Sequence, residues 1–150
     1  MGQYLFDNDK YPQAERCFLR ASLPDRAAVA HAFYLRAKAE SIPEKKIPER
    51  KRAFVQAGEA FLSCAQENTT KERTTLFVRS GECFFVGGES SKAAEAFVHG
   101  RKYEKAAEIY RDLRLFDEAV ELVKNHQVQS RVYESVIGQA RLFYFARKKL

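Results

Sequence analysis

Three cysteines, three histidines, a glycine pair and a run of cations are the residues of this chain whose types invite a chemical reading. Gly87-Gly88-Glu89-Ser90-Ser91-Lys92 is the nearest approach to a phosphate-binding loop. Such a loop needs Gly-Lys-Ser/Thr at its end to cradle phosphate oxygens. Here the spacing differs and Glu89 places a carboxylate where those oxygens would sit, so the segment reads as a helix stop followed by a Ser cap. His31, His99 and His126 form no i, i+4 pair, and no cysteine stands at ligand spacing to any of them. His99 and His126 instead fall where a cation favours a helix C-terminus. Cys17, Cys64 and Cys83 form no C-x-x-C pair and sit among apolar neighbours, as small hydrophobes do. Glu104/Glu108 and Glu118/Glu121 lie at helix-surface spacing among Lys and Arg, which suits local ion pairs on a solvated face. The chain is therefore expected not to be an enzyme and to hold no cofactor and no metal.

The cations carry more. The net charge is +6, and much of the excess lies in Lys45, Lys46, Arg50, Lys51 and Arg52 and in Arg147, Lys148 and Lys149. Clusters of this kind suit acidic partners or phosphate backbones, and equally a solvated helix face. The seven tyrosines are numerous enough to suggest stacking platforms for bases, but they recur where packing already requires an aromatic. Asn68-Thr69-Thr70 matches a glycosylation sequon and reads better as a turn and helix cap, with Thr69-x-x-Glu72 resembling a capping box. No stretch approaches the ~18 apolar residues of a membrane span, and the first residues lack a signal-peptide pattern. An intracellular location, cytoplasmic or nuclear, is the resulting expectation.

The elements that must position these groups repeat. Ala93, Ala106 and Ala119 are thirteen residues apart, and Phe97, Tyr110 and Val123 follow in the same register. Ser90, Tyr103 and Phe116 open the three units. Each has room for one helix of about 10 residues, roughly 15 Å long, and a tight turn. So short a helix cannot bury its apolar stripe alone, and consecutive units must stack antiparallel. Tyr11, Ala14 and Phe18 repeat the same internal spacing near the start, and Gly58 and Gly81, each one residue before a Glu, suggest close helix crossings. The punctuation predicts helices over about residues 2–8, 11–22, 24–40, 49–67 and 69–86, three short helices from residue 90, and a last one over 129–148. Consecutive Leu142, Phe143, Tyr144 and Phe145 cannot all face one core, which suits a segment of a longer array.

The pattern Asp9-x-Tyr11-x-x-Ala14-x-x-x-Phe18-x-x-Ala21-x-x-Pro24 resembles the second helix of a tetratricopeptide repeat, although the chain has no Trp and no Leu-Gly pair. The run from Lys92 to Val123 also resembles the short-helix repeats of clathrin-type and intraflagellar-transport solenoids. The whole chain is similar to the helical region of large tetratricopeptide-and-ankyrin-repeat proteins of fungi and animals, which carry a UvrD-like superfamily 1 helicase module. That resemblance rests on residues 11–21, 30–36, 57–65, 81–88 and 139–150. The turns and loop lengths predict an all-α stack of about nine antiparallel helices over residues 1–150; the resemblance implies that the stack is right-handed and that it is a helical scaffold beside an engine and not the engine itself. The function expected is a protein–protein interaction scaffold for a protein or peptide, with Arg36 and Arg79 as exposed surface residues. The alternative is a basic accessory domain that engages nucleic acid through residues 45–52. Self-association through the C-terminal edge is a third possibility. Tyr11, Ala14, Phe18, Ala93, Phe97, Tyr103, Ala106, Tyr110, Phe116 and Ala119 are the expected repeat-packing residues.

Overall fold

The computed structural model describes residues 1–67 and 71–148, so the sequon at 68–70, the Thr69 half of the capping box and Lys149 lie outside it. The described residues form nine helices and no strand: α1 (Gly2–Asp7), α2 (Tyr11–Arg20), α3 (Pro24–Ser41), α4 (Ile47–Glu67), α5 (Glu72–Val86), α6 (Ser90–His99), α7 (Tyr103–Asp112), α8 (Phe116–Asn125) and α9 (Ser130–Lys148). Each packs chiefly on its neighbours in sequence, and α9 also reaches α7. No helix among the described residues is long and apolar enough to cross a membrane.

One turn recurs five times and explains the thirteen-residue spacing. Asp9, Ser22, Gly88, Arg101 and Arg114 all adopt positive φ, between 58° and 84°. The N–H after each donates to the carbonyl five residues back: Lys10 to Leu5, Leu23 to Phe18, Glu89 to Phe84, Lys102 to Phe97 and Leu115 to Tyr110, at 2.8–2.9 Å. This is the 6→1 bond of a Schellman stop. The next helix begins at once, and the first N–H to bond back belongs each time to an alanine: Ala14, Ala27, Ala93, Ala106 and Ala119. All five are buried, at 0–3% exposure. A side chain ending at Cβ is what lets the incoming helix lie close against the outgoing one. Ser90 is not the cap that the sequence suggests. Glu89 holds the cap position, with no side-chain hydrogen bond, and Ser90 is the first helical residue.

Glycines at the helix crossings act in the same way. A Cβ added to Gly2, Gly58 or Gly81 would lie 2.8, 2.9 or 3.0 Å from the ring of Phe18, Phe84 or Phe97 on the next helix. Those rings sit 5%, 1% and 3% exposed in the core. Ser80, the buried polar side chain beside one crossing, donates from its hydroxyl to the Gly58 carbonyl at 2.8 Å. Of the expected packing residues, Ala14, Phe18, Ala93, Phe97, Ala106, Phe116 and Ala119 are buried, while Tyr11, Tyr103 and Tyr110 are half-buried. Ala21, by contrast, is exposed.

The series of turns stops after α8. His126 is extended (φ −128°, ψ 153°), and its ring lies face to face on Tyr103, 3.5 Å between centroids and 6° from parallel. Glu104 accepts the Gln129 N–H at 3.0 Å. The start of α7 thus anchors the link to α9, so Glu104 is no freely solvated carboxylate.

Candidate partner-binding groove

The residues that the sequence offers for chemistry are mostly spent on structure. Cys64 and Cys83 are buried and Cys17 is half-buried. Burial pushes the Cys64 and Cys83 thiols up from 9.0 to about 11, so both are protonated at neutral pH and poor nucleophiles. His31 pairs with Glu15 at 3.3 Å, and His99 stacks on Phe77 at 5.0 Å. The three histidines thus fall on three different contacts.

The basic run divides. Arg50 points its guanidinium back at the end of α3, where Nη1 donates to the carbonyls of Ile42 (2.9 Å), Glu40 (3.2 Å) and Ala39 (3.4 Å). It also lies 5.0 Å from the Phe54 ring centroid. All three hydrogen bonds come from the one Nη1 amino group, so its donors are shared among the carbonyls at the end of α3. Arg50 thus acts as a cap on the end of α3, half-buried where its neighbours in the run are not. Lys45, Lys46, Lys51 and Arg52 are exposed.

Arg36 and Arg79 are also placed differently from the exposed positions expected of them. Both are half-buried, and each guanidinium lies 5.0 Å from the ring centroid of Phe33 on α3. Phe33 is the hub of an aromatic cluster: Tyr11 stacks on it at 5.5 Å, and Phe6 and Phe61 meet it edge-on at 4.9 and 5.1 Å. Burial and a hydrogen bond to Asp9 raise the Tyr11 hydroxyl above its ordinary range. Arg36 is further tied to Glu40 at 3.6 Å, one turn on.

Beside this cluster opens a groove of about 850 Å³. Odd-numbered helices line most of it: Gln3 and Phe6 from α1, Val29 and Phe33 from α3, Thr75, Leu76 and Arg79 from α5. The α2–α3 turn closes one side with Ser22, Leu23 and Pro24. Its apolar floor is thus set between helices far apart in sequence. Arg26, Lys71 and Arg79 supply three cations to the lining against Asp25 and Glu72. Helices α3 and α5 both begin at the groove, and their N-terminal N–H groups add positive potential. An apolar floor with a few charged groups on its rim suits a segment of another molecule, oriented by the rim and bound by the floor. A smaller recess of about 270 Å³ lies at the α8–α9 link, beside His126 and Tyr133. No family model, no curated protein and no solved structure matches the chain.

Proposed function

We propose that the chain is a non-catalytic protein–protein interaction scaffold, a TPR-like α-solenoid whose groove along α1, α3 and α5 takes a peptide or helix of a partner protein. The observation that carries this reading is the groove itself: about 850 Å³, floored by Phe6, Val29, Phe33 and Leu76 and rimmed by Arg26, Lys71 and Arg79. The five equivalent turns support the repeat reading, since each ends one helix and starts the next with the same backbone hydrogen bonds. A stack built that way exposes one row of helices along a continuous surface. Mechanism here is passive. The groove binds, and the partner's identity sets what the assembly does. The resemblance to the helical region of helicase-bearing repeat proteins belongs to the same proposal, with the chain as the scaffold beside the engine.

The test is a pull-down from cell extract with the whole chain as bait, at low and high salt, with and without nuclease. Two variants run alongside: Thr75→Trp, which fills the groove from an exposed position, and a fourfold Ala replacement of Lys45, Lys46, Lys51 and Arg52. Partners that survive salt and nuclease and are lost with Thr75→Trp support the scaffold. Partners lost to salt, to nuclease and to the fourfold replacement, but indifferent to Thr75→Trp, overturn it in favour of the nucleic-acid role.

A further inference from the structure

Glycine weakens a helix interior, and three helix glycines of this chain have a visible use: Gly2, Gly58 and Gly81 each seat a phenylalanine ring of the next helix. Gly138, in the middle of α9, has the same opening and nothing in it. A Cβ built there meets no atom within 4 Å. The helix face on which it lies continues at helical spacing through Leu142, 70% exposed, and Phe145, 59% exposed, while Val132, Val136 and Ala140 occupy the opposite, buried face. Residues 139–148 contain Arg141, Arg147 and Lys148 and no carboxylate. Two acids of α8 reach this end: Asp117, which accepts the Tyr144 hydroxyl, and Glu118, whose charge also acts on it.

The other end of the chain has the complementary character. Between Met1 and Asp9 there are two carboxylates, Asp7 and Asp9, and no Lys or Arg. Tyr4, 64% exposed, projects from α1 with Asp7 one turn further on. Tyr4 and Asp7 are three residues apart, as are Gly138 and Arg141. If α1 lies parallel to α9, the aromatic meets the open glycine and the carboxylate meets the guanidinium in the same register. Laid antiparallel, Asp7 would instead fall at Ser135, whose hydroxyl already accepts from Arg111, with Glu134 beside it.

We propose that α9 docks on α1 of a second copy of this chain, head to tail, with Tyr4 of one copy seated on Gly138 of the other and Asp7 opposite Arg141. The two surfaces differ, so the contact is heterologous and does not close at the dimer. Gln3 of the groove lining donates to Asp7 at 2.9 Å, but Thr75 lies on α5, and Thr75→Trp leaves the contact unchanged.

The experiment is sedimentation velocity on the full chain over a wide concentration range. Mass is expected to rise with concentration past the dimer. Gly138→Leu and Tyr4→Ala, with helicity checked by circular dichroism, each lower the association constant about tenfold or more. Arg141→Asp alone and Asp7→Arg alone are each expected to be monomeric. An equimolar mixture of those two variants re-associates, because every α9–α1 contact between unlike copies then pairs opposite charges. A monomer at every concentration overturns the proposal, and so do an Asp7→Arg variant that still associates, the outcome for a symmetric α9–α9 contact, and a mixture no more associated than its components, the outcome for an end that serves a different partner.

Discussion

Adding one methyl group at Gly58 tests the helix crossing on which the packing argument rests. The new Cβ would lie 2.9 Å from Phe84 Cδ1 and 3.1 Å from Cγ and Cε1. Carbon atoms rest comfortably at about 3.5–4.0 Å, so the ring must retreat by roughly half an ångström. Phe84 is 1% exposed and belongs to the same core cluster as Ala93, Ala94 and Phe97, and a close-packed core yields little. Overpacking of this kind costs about 1–3 kcal/mol, against a gain of about 1 kcal/mol for replacing glycine inside a helix. Gly58→Ala should therefore be neutral to destabilising by ~2 kcal/mol. Gly138→Ala, which meets nothing within 4 Å, should gain the full ~1 kcal/mol at a concentration where the chain is monomeric. The gap between the two variants is then ~1–3 kcal/mol, a separation of roughly 3–10 °C in Tm for a domain of this size. Thermal and urea unfolding of both variants measure it. Phe84→Leu in the Gly58→Ala background should recover part of the difference by coupling. Equal stabilisation by both substitutions would refute the close α4–α5 crossing.

Arg101→Gly and Arg114→Gly should each raise stability by ~1 kcal/mol in urea unfolding, since both residues hold a left-handed conformation (φ 62° and 63°) that costs a side chain about that much; Gly88→Ala should lose a similar amount. Arg50→Ala should destabilise by ~1–3 kcal/mol by freeing the carbonyls of Ala39, Glu40 and Ile42, and Arg50→Lys should recover only part, because an ammonium loses the planar guanidinium's contact with the Phe54 ring. The Cys64 and Cys83 thiols sit near 11 against an ordinary 9.0. Their raised values stabilise the fold fully below pH 9, and that stability drains away as pH rises from about 9 to 11, by ~2–3 kcal/mol per thiol. Urea melts across that range measure the loss, and Cys64→Ala should remove about half of it, Cys83 keeping its share.

Much of this fold was legible because the signal was local. The alanines at 93, 106 and 119 each stand three residues after the first residue of α6, α7 or α8, where the backbone N–H makes the first bond of the helix and a methyl group tolerates the close approach. Gly58 and Gly81 announced their crossings for the same reason. The equivalent turns at Asp9 and Ser22 were harder to see. Their left-handed residue is Asp or Ser in one place and Gly or Arg in another, so backbone hydrogen bonds define the motif and no residue type does. Ala27, thirteen residues after Ala14, was the signal available and went unread. The groove was not legible at all. Phe33, Leu76 and Arg79 meet only because α3 and α5 present faces to the same side, and α3 is apolar around too much of its circumference for periodicity to choose one. Arg50 was misread with its neighbours because a basic run gives no hint that one member turns inward.

Site-specific photo-crosslinking reaches the central claim most directly. A photoreactive phenylalanine at Thr75, which lines the groove, is compared in cells with the same group at Ser91, exposed on α6. A scaffold whose groove binds a partner gives discrete protein adducts from position 75 that are absent from position 91 and weakened by Arg79→Glu. Adducts of equal pattern from both positions, or none from position 75, would contradict it.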